Sequence, residues 1–417
     1  MTGLFFCDTI RAEGEFNMET IKGKITTAIS YAKTIEIEAR EQIRRMCSYE
    51  FTRDSKVRIM PDVHAGAGCT IGTTMTVVDK AVPNVVGVDI GCGMFTVKLA
   101  DRDIDFALLD EAAHFIPSGR KTWDVRQVHF ELTDLECYRY LDNAPRLVKS
   151  LGTLGGGNHF IEIDRSSDGT NYLVVHSGSR NLGKQVAEHY QKLAVDLSKG
   201  KEELFNLEDQ LIEEYKAKGR RKEIQAAIKE LRRKFEAKKS EVPPDLCFLY
   251  GKYFERYLHD VAICQDFARR NREMIAHILM KRAHLTGVDE FHTVHNYIDV
   301  KEMILRKGAI AAHKGERVLI PINMRDGSIL AVGKGNADWN YSAPHGAGRL
   351  FSRADAKELF DMEEYVQAME GIYTTSVREG TLDESPMAYK SLDDIVDTIE
   401  PTAEIIEVLK PVYNFKA

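Results

Sequence analysis

KVRIMPDVHAGAGCTIGTTMTVVDKAVPNVVGVDIGCGMFTVKL, residues 56–99, alternates short β-branched runs with clusters of Gly, Pro and Asp. The runs KVRIM, TTMTVV, NVVGV and MFTVKL are too short for ordinary helices and rich in branched side chains, which predicts strands. The glycine-rich links between them are then exposed loops, on which a strand scaffold can converge polar groups. The same punctuation returns at LGTLGGGNHFIEI (151–163), YLVVHSGSR (172–180), RVLIPINM (317–324) and SILAVGKG (328–335).

Outside these stretches the period changes. Ile37, Ala39, Ile43 and Met46 recur at helical spacing with Arg40, Arg44 and Arg45 mostly opposite, which predicts a surface helix. Residues 198–240 are dominated by Lys, Arg, Glu and Gln. Leu204, Leu207, Leu211 and Tyr215 form one stripe there, Gly219 interrupts it, and Ile224, Ile228, Leu231 and Phe235 form a second. That pattern predicts an inserted antiparallel helical hairpin, closed by Pro243-Pro244. A long amphipathic helix follows over about 249–281, carrying Phe254, Leu258, Ile263, Phe267 and Ile275. The expected class is α+β: central sheets, flanking helices and the hairpin at 198–240. The folded body is expected to start at Met18, with residues 1–17 a tail or an upstream start-site extension.

The chain has 417 residues, 43% of them hydrophobic, enough for a large core or for two domains. A net charge of −7 argues against bulk-charge binding to nucleic acid, so any polyanion site must be a local basic pocket. Seven cysteines in no regular framework fit a reducing compartment. No apolar run approaches the roughly 20 residues needed to span a bilayer, so a cytoplasmic location is expected.

Five groups able to bind metal lie beside glycine or at a strand end: Asp89 and Cys92 in VGVDIGCGM, His159 in GGGNHF, His176 in VVHSGSR and His295 in VHNYID. Taken singly, each histidine reads as readily as a hydrogen-bonded loop residue, and Cys92 as a small buried apolar one. Together they point to a site with room for one or two ions, in which a thiolate can bridge. In SAPHGAGRLFSR, His345 sits among small residues ahead of Arg349 and Arg353. A helix starting near Gly346 would carry both arginines along one face, ready to fork onto phosphate oxygens; the competing reading is a helix cap with solvated arginines. Arg180 follows His176 by four residues. In MPDVHAGAG, Asp62 reads as a turn cap and His64 as a partner orienting a ligand, while Lys307 in RKGA reads either as a phosphate contact or as a strand-end lysine.

Taken in order, MPDVHAGAG, VGVDIGCG, GGGNHF, VHSGSR, HNY, RKGA and HGAGR resemble the motif series of the RtcB RNA-splicing ligases, over about Met18 to the C terminus. The resemblance implies a single RtcB-like catalytic domain over 18–417, built around a metal site. It implies a two-manganese centre held by Asp89, Cys92, His159, His176 and His295, with Cys92 between the ions. Thiolate and imidazole ligands alone would suggest zinc or iron; manganese is the family's preference. It further implies that His345 becomes guanylylated, that Asn158, Glu162, Ser328, Tyr389 and Lys416 contact the guanylate, and that Arg180, Arg349 and Arg353 hold RNA phosphates. Where many members read roughly PGSMGT, residues 321–328 here are PINMRDGS, so one expected guanylate serine is Asn323. That departure and the long insert mark a divergent branch, working in RNA repair or tRNA splicing.

The implied reaction is GTP-dependent. A 2′,3′-cyclic phosphate end is opened to a 3′-phosphate, His345 takes GMP from GTP, the RNA 3′-phosphate takes the GMP, and a 5′-hydroxyl end displaces it. An archease-type activator is the expected partner besides RNA. The competing readings are a guanylyltransferase that caps 3′-phosphate ends without joining them, and a non-catalytic metal-binding RNA chaperone.

Overall fold

The structure, a computed structural model, describes residues 18–235 and 238–416; the expected extension at 1–17 lies outside them. It is α+β, with two principal sheets. Glu19–Lys22, Thr27–Ser30, Val57–His64, Ile71–Thr76, Ile304–Lys307 and Asn296–Asp299 line up in that order as a six-stranded sheet. The second sheet runs in the order Gly287–Val294, Gly93–Leu99, Asn171–Ser177, Phe160–Arg165, Ala403–Lys416, Gly327–Gly333 and Arg317–Asn323, with Tyr373–Thr374 added beside Ala403–Lys416. The two sheets meet at His295, which lies between strand Gly287–Val294 of one and strand Asn296–Asp299 of the other.

Strand alternation decides what the second sheet buries. Phe95, Val97, Ile161, Ile163, Leu173 and Val175 form one face, packed on Ile275, Ala276 and Leu279 of the long helix Gly251–Arg282. The intervening residues, among them Phe160, Glu162, Val174 and His176, turn to the opposite face. The other end of the long helix buries Tyr257, Val261, Cys264 and Phe267 in a separate apolar cluster, where Phe267 meets Phe130 edge-on at 5.1 Å.

Most predicted elements are present: the surface helix is Ile37–Met46, and the predicted hairpin is Glu202–Ala217 and Ile224–Lys234. Two expectations are corrected. The NVVGV run is not a strand: Pro83 opens a four-residue helix, Pro83–Val86, because its fixed φ suits the first helical position. Nor does a helix start near Gly346. Gly348 has φ +75, a Cβ there would press on the Asp62 carbonyl, and the chain instead bridges from Arg349 to Tyr389 before Arg353–Leu359 turns helical. Arg349 and Arg353 therefore do not share a helix face with His345. Among the described residues no helix is long and apolar enough to cross a membrane.

Candidate active site

The sheet register brings four of the five predicted ligands to one edge. Val294 pairs with Gly93, Met94 with His176, and His176 with Phe160, so the residues at these strand ends stand side by side. The His295 amide then donates to the Cys92 carbonyl at 2.9 Å. Asp89 reaches the same point from the turn before Cys92. The close approach depends on Gly178, where any Cβ would overlap the Asp89 carboxylate.

The donors fall into two triads that share the thiol: Asp89, Cys92 and His159, and Cys92, His176 and His295, with the ligand atoms of each within 4.8 Å of one another. Cys92 Sγ lies 3.5 Å from His159 Nε2 and 3.4 Å from His176 Nε2, and His176 Nε2 lies 3.4 Å from His295 Nε2. His159 Nε2 is 3.0 Å from Asp89 Oδ2. His159 Nδ1 donates to the Leu154 carbonyl at 2.8 Å and His176 Nδ1 to the Asn158 carbonyl at 3.0 Å, which leaves lone pairs on both Nε2 atoms. Lone pairs, a sulfur and a carboxylate facing one another at these distances repel unless a cation lies among them, so the donor set fits a metal. Burial, reinforced by neighbouring histidines, pushes His176 and His295 well below the usual imidazole range and keeps them neutral, the ligating form. Burial and then the Asp89 charge raise the Cys92 thiol, so a cation binding there displaces a proton.

His345 adjoins this centre, its ring 5.0 Å from that of His295. Its Nδ1 donates to Asp62 Oδ2 at 2.6 Å, and the same oxygen accepts its backbone N–H at 3.1 Å. Asp62 is fully buried, so the ring is fixed in orientation and Nε2 is the nitrogen left for chemistry. Sequence read Asp62 as a turn cap and gave the orienting role to His64; 283 positions separate Asp62 from His345, and nothing local marks the pair. His64 lines the same cavity, with Nδ1 on the Asp62 carbonyl.

That cavity, of about 250 Å³, is lined by Asn158, Glu162, Tyr389 and Lys416 together with His176, His295 and His345. Cross-strand register explains the grouping: Glu162 faces Asn414, which donates to it at 2.6 Å, and Phe160 faces Lys416. Ser328 is not part of it. It lies fully buried within Gly327–Gly333, and Asn323 lines the cavity instead. Arg349 and Arg353 are at its wall, paired with acidic groups: Arg353 with Asp383 at 2.6 Å and with Glu384, Arg349 with Glu384 at 3.5 Å. Glu384, which sequence did not single out, also pairs with Lys416 and accepts from the Tyr389 hydroxyl at 2.7 Å. Although burial opposes it, the Lys416 and Arg353 charges bring its carboxyl down to about 2. Arg180 lies outside this cavity. Its Nε donates to Thr153 Oγ1 at 3.2 Å, and it lines a separate cavity with Arg120, Lys121, Arg146 and Lys184. Lys307 serves the scaffold: its ammonium donates to the Ala67, Cys69 and Asn84 carbonyls.

The family model described as "tRNA-splicing ligase RtcB" matches residues 42–139 and 138–417. The chain belongs to the RtcB family. It is 30% identical to the RNA-splicing ligase RtcB of Escherichia coli (strain K12), over 92% of this chain and 95% of that protein. The RNA-splicing ligase RtcB1 of another Escherichia coli strain is 31% identical, with the same coverage. The tRNA-splicing ligase RtcB of Nanoarchaeum equitans is 26% identical, over 81% of this chain and 83% of that protein. These identities make the chain a divergent RtcB member, and membership makes it an RNA ligase.

Proposed function

We propose that this ligase is GTP- and manganese-dependent and joins RNA 3′-phosphate or 2′,3′-cyclic phosphate ends to 5′-hydroxyl ends through a histidine-GMP intermediate on His345. The observation that carries the reading is His345 itself, held at Nδ1 by buried Asp62 and set beside His295 in a cavity that Asn158, Glu162, Tyr389 and Lys416 also line.

In this reading Nε2 of His345 attacks the α-phosphorus of GTP, and Asp62 accepts the Nδ1 hydrogen bond that strengthens as positive charge develops on the ring. Glu162 and Asn158 orient the guanylate, with Tyr389 and Lys416 beside them. Asp89, Cys92, His159, His176 and His295 would hold the manganese. When bound, the metal supplies Lewis acidity and a template for the pyrophosphate leaving group. The RNA 3′-phosphate then takes GMP from His345, and the 5′-hydroxyl of the second strand expels it. Arg349 and Arg353 exchange their carboxylate partners for RNA phosphates, and Arg180 holds RNA from the neighbouring cavity. The setting is cytoplasmic, in RNA repair or tRNA splicing, with an archease-type protein as activator.

The test is incubation with α-labelled GTP and manganese, followed by denaturation. Label is expected on the parent protein and absent from His345→Ala, while that variant still joins an RNA end supplied already carrying the 3′-guanylyl group. Undiminished labelling of His345→Ala overturns the assignment. Assaying products with and without a 5′-hydroxyl strand separates joining from capping alone.

A further inference from the structure

Asn271 and Arg272 are consecutive residues in the middle of the long helix, fully buried, and used by nothing in the chemistry above. Arg272 forms no ion pair with a carboxylate among the described residues. One guanidinium nitrogen, Nη1, instead donates to two main-chain carbonyls, Gly91 at 2.6 Å and Ser177 at 2.9 Å. Asn271 Oδ1 accepts from the Gly152 and Thr153 amides at 2.7 and 3.1 Å, while its Nδ2 faces the Thr153 carbonyl, Ser177 Oγ and the Gly178 carbonyl at 3.0–3.2 Å.

These contacts fall beside a ligand in the chain or beside a group that holds one. Gly91 precedes Cys92 and Ser177 follows His176. Thr153 precedes Leu154, whose carbonyl fixes the His159 ring. Gly178 precedes Ser179, whose amide donates to Asp89 Oδ1 at 3.1 Å. A buried guanidinium without a carboxylate partner is costly, and replacing such a group by apolar side chains is often neutral or stabilising, so fold stability alone gives little reason for it. We propose that Asn271 and Arg272 are positioning residues that fasten the loops carrying Asp89, Cys92, His159 and His176 to one rigid helix, and so set the spacing of the two ligand triads. The proposal rests on the metal-centre reading. It adds that the helix, rather than the loops themselves, determines that geometry, because outer partners fix the orientation of metal ligands.

Arg272 also lines a cavity of about 430 Å³ on the far side of the His292–Asp299 segment, and its Nε has no partner there among the described residues. A small guanidinium compound can therefore reach the space that Arg272→Ala would leave. The probe is cobalt(II), whose thiolate charge-transfer and d–d bands report affinity and geometry without turnover. The parent protein must first show the thiolate band; its absence defeats the metal-centre reading itself. Given that band, Arg272→Ala is expected to bind cobalt roughly 10- to 100-fold more weakly, with shifted d–d bands. Methylguanidinium should restore both. Arg269→Ala, which alters the same cavity but none of the ligand loops, should match the parent. Should Arg272→Ala not fold, Arg272→Lys provides the affinity and band readings without the rescue, since its shorter side chain keeps the charge but sets the ammonium back from the two carbonyls that Nη1 reaches. Unchanged cobalt affinity and spectrum in the folded variant, a loss shared by Arg269→Ala, or a loss that methylguanidinium leaves untouched overturns the proposal.

Discussion

Two buried carboxylates make opposite predictions about pH. Glu384 is held down to about 2, since the Lys416 and Arg353 charges outweigh its burial, so its folded form is the charged one. Its contribution is present above the unfolded carboxylate range and is lost as pH falls toward 2. Glu384→Gln leaves Lys416 buried without its partner and should cost roughly 3 kcal/mol near neutrality, with the gap in melting temperature closing as pH is lowered; a constant gap refutes the account. Asp164, fully buried on the same strand as the buried Glu162, is pushed above the usual carboxylate range by that burial, and the two carboxyls titrate as a pair. Here the folded state binds the proton more tightly, so stability falls as pH rises through this range. Asp164→Asn should therefore gain on the parent as pH rises above the usual carboxylate range, and melting curves from acid to neutral pH decide it. Glycine flanks and strand ends singled out Asp89, Cys92, His159, His176, His295 and His345 in the sequence, because they announce loops built for close approach, and the structure brings the six together. Glu384, Asn271 and Arg272 carried no such mark: an Asn-Arg pair within a charged amphipathic helix looks like solvated surface until a sheet is packed against it.

At the level of elements, periodicity identified the long helix and both arms of the hairpin, but it failed on two short segments. NVVGV and HGAGR were too short for a period to choose between helix and strand, and Pro83 and Gly348 decided them locally. The hairpin's arms are joined by the Glu208–Arg232 ion pair and bury little besides Leu204 and Ile228. Its ends nearly touch, since the Lys238 amide donates to the Lys199 carbonyl at 3.0 Å. A short linker can thus close the gap at small entropic cost. Replacing residues 201–238 by such a linker should leave the labelling of His345 by GTP intact and lower the melting temperature only modestly; loss of labelling would make the hairpin part of the catalytic body. The long helix has the opposite weight. Phe267→Ala empties a site at the centre of its apolar contacts and should cost about 3–5 kcal/mol, measured by denaturant unfolding.

For the whole molecule, a net charge of −7 and a few local arginines predict RNA binding with a shallow dependence on salt, a slope of about −1.5 to −2 for two or three phosphates neutralised on a single strand, in place of the steep fall of a bulk-charge binder. Titrating a 3′-phosphate RNA across salt concentrations measures it. The α+β class followed from alternating runs and links in the sequence, whereas the order of the strands did not, because pairings such as Gly93–Leu99 with Gly287–Val294 join distant parts of the chain. That register has a kinetic consequence. The proposed ligands reach from Asp89 to His295 and come together only when those strands have paired, so a metal can bind only once the long-range pairing that slows folding is complete. Manganese should accordingly leave the refolding rate almost unchanged and slow unfolding instead, acting as a latch on a finished structure rather than as a seed for it.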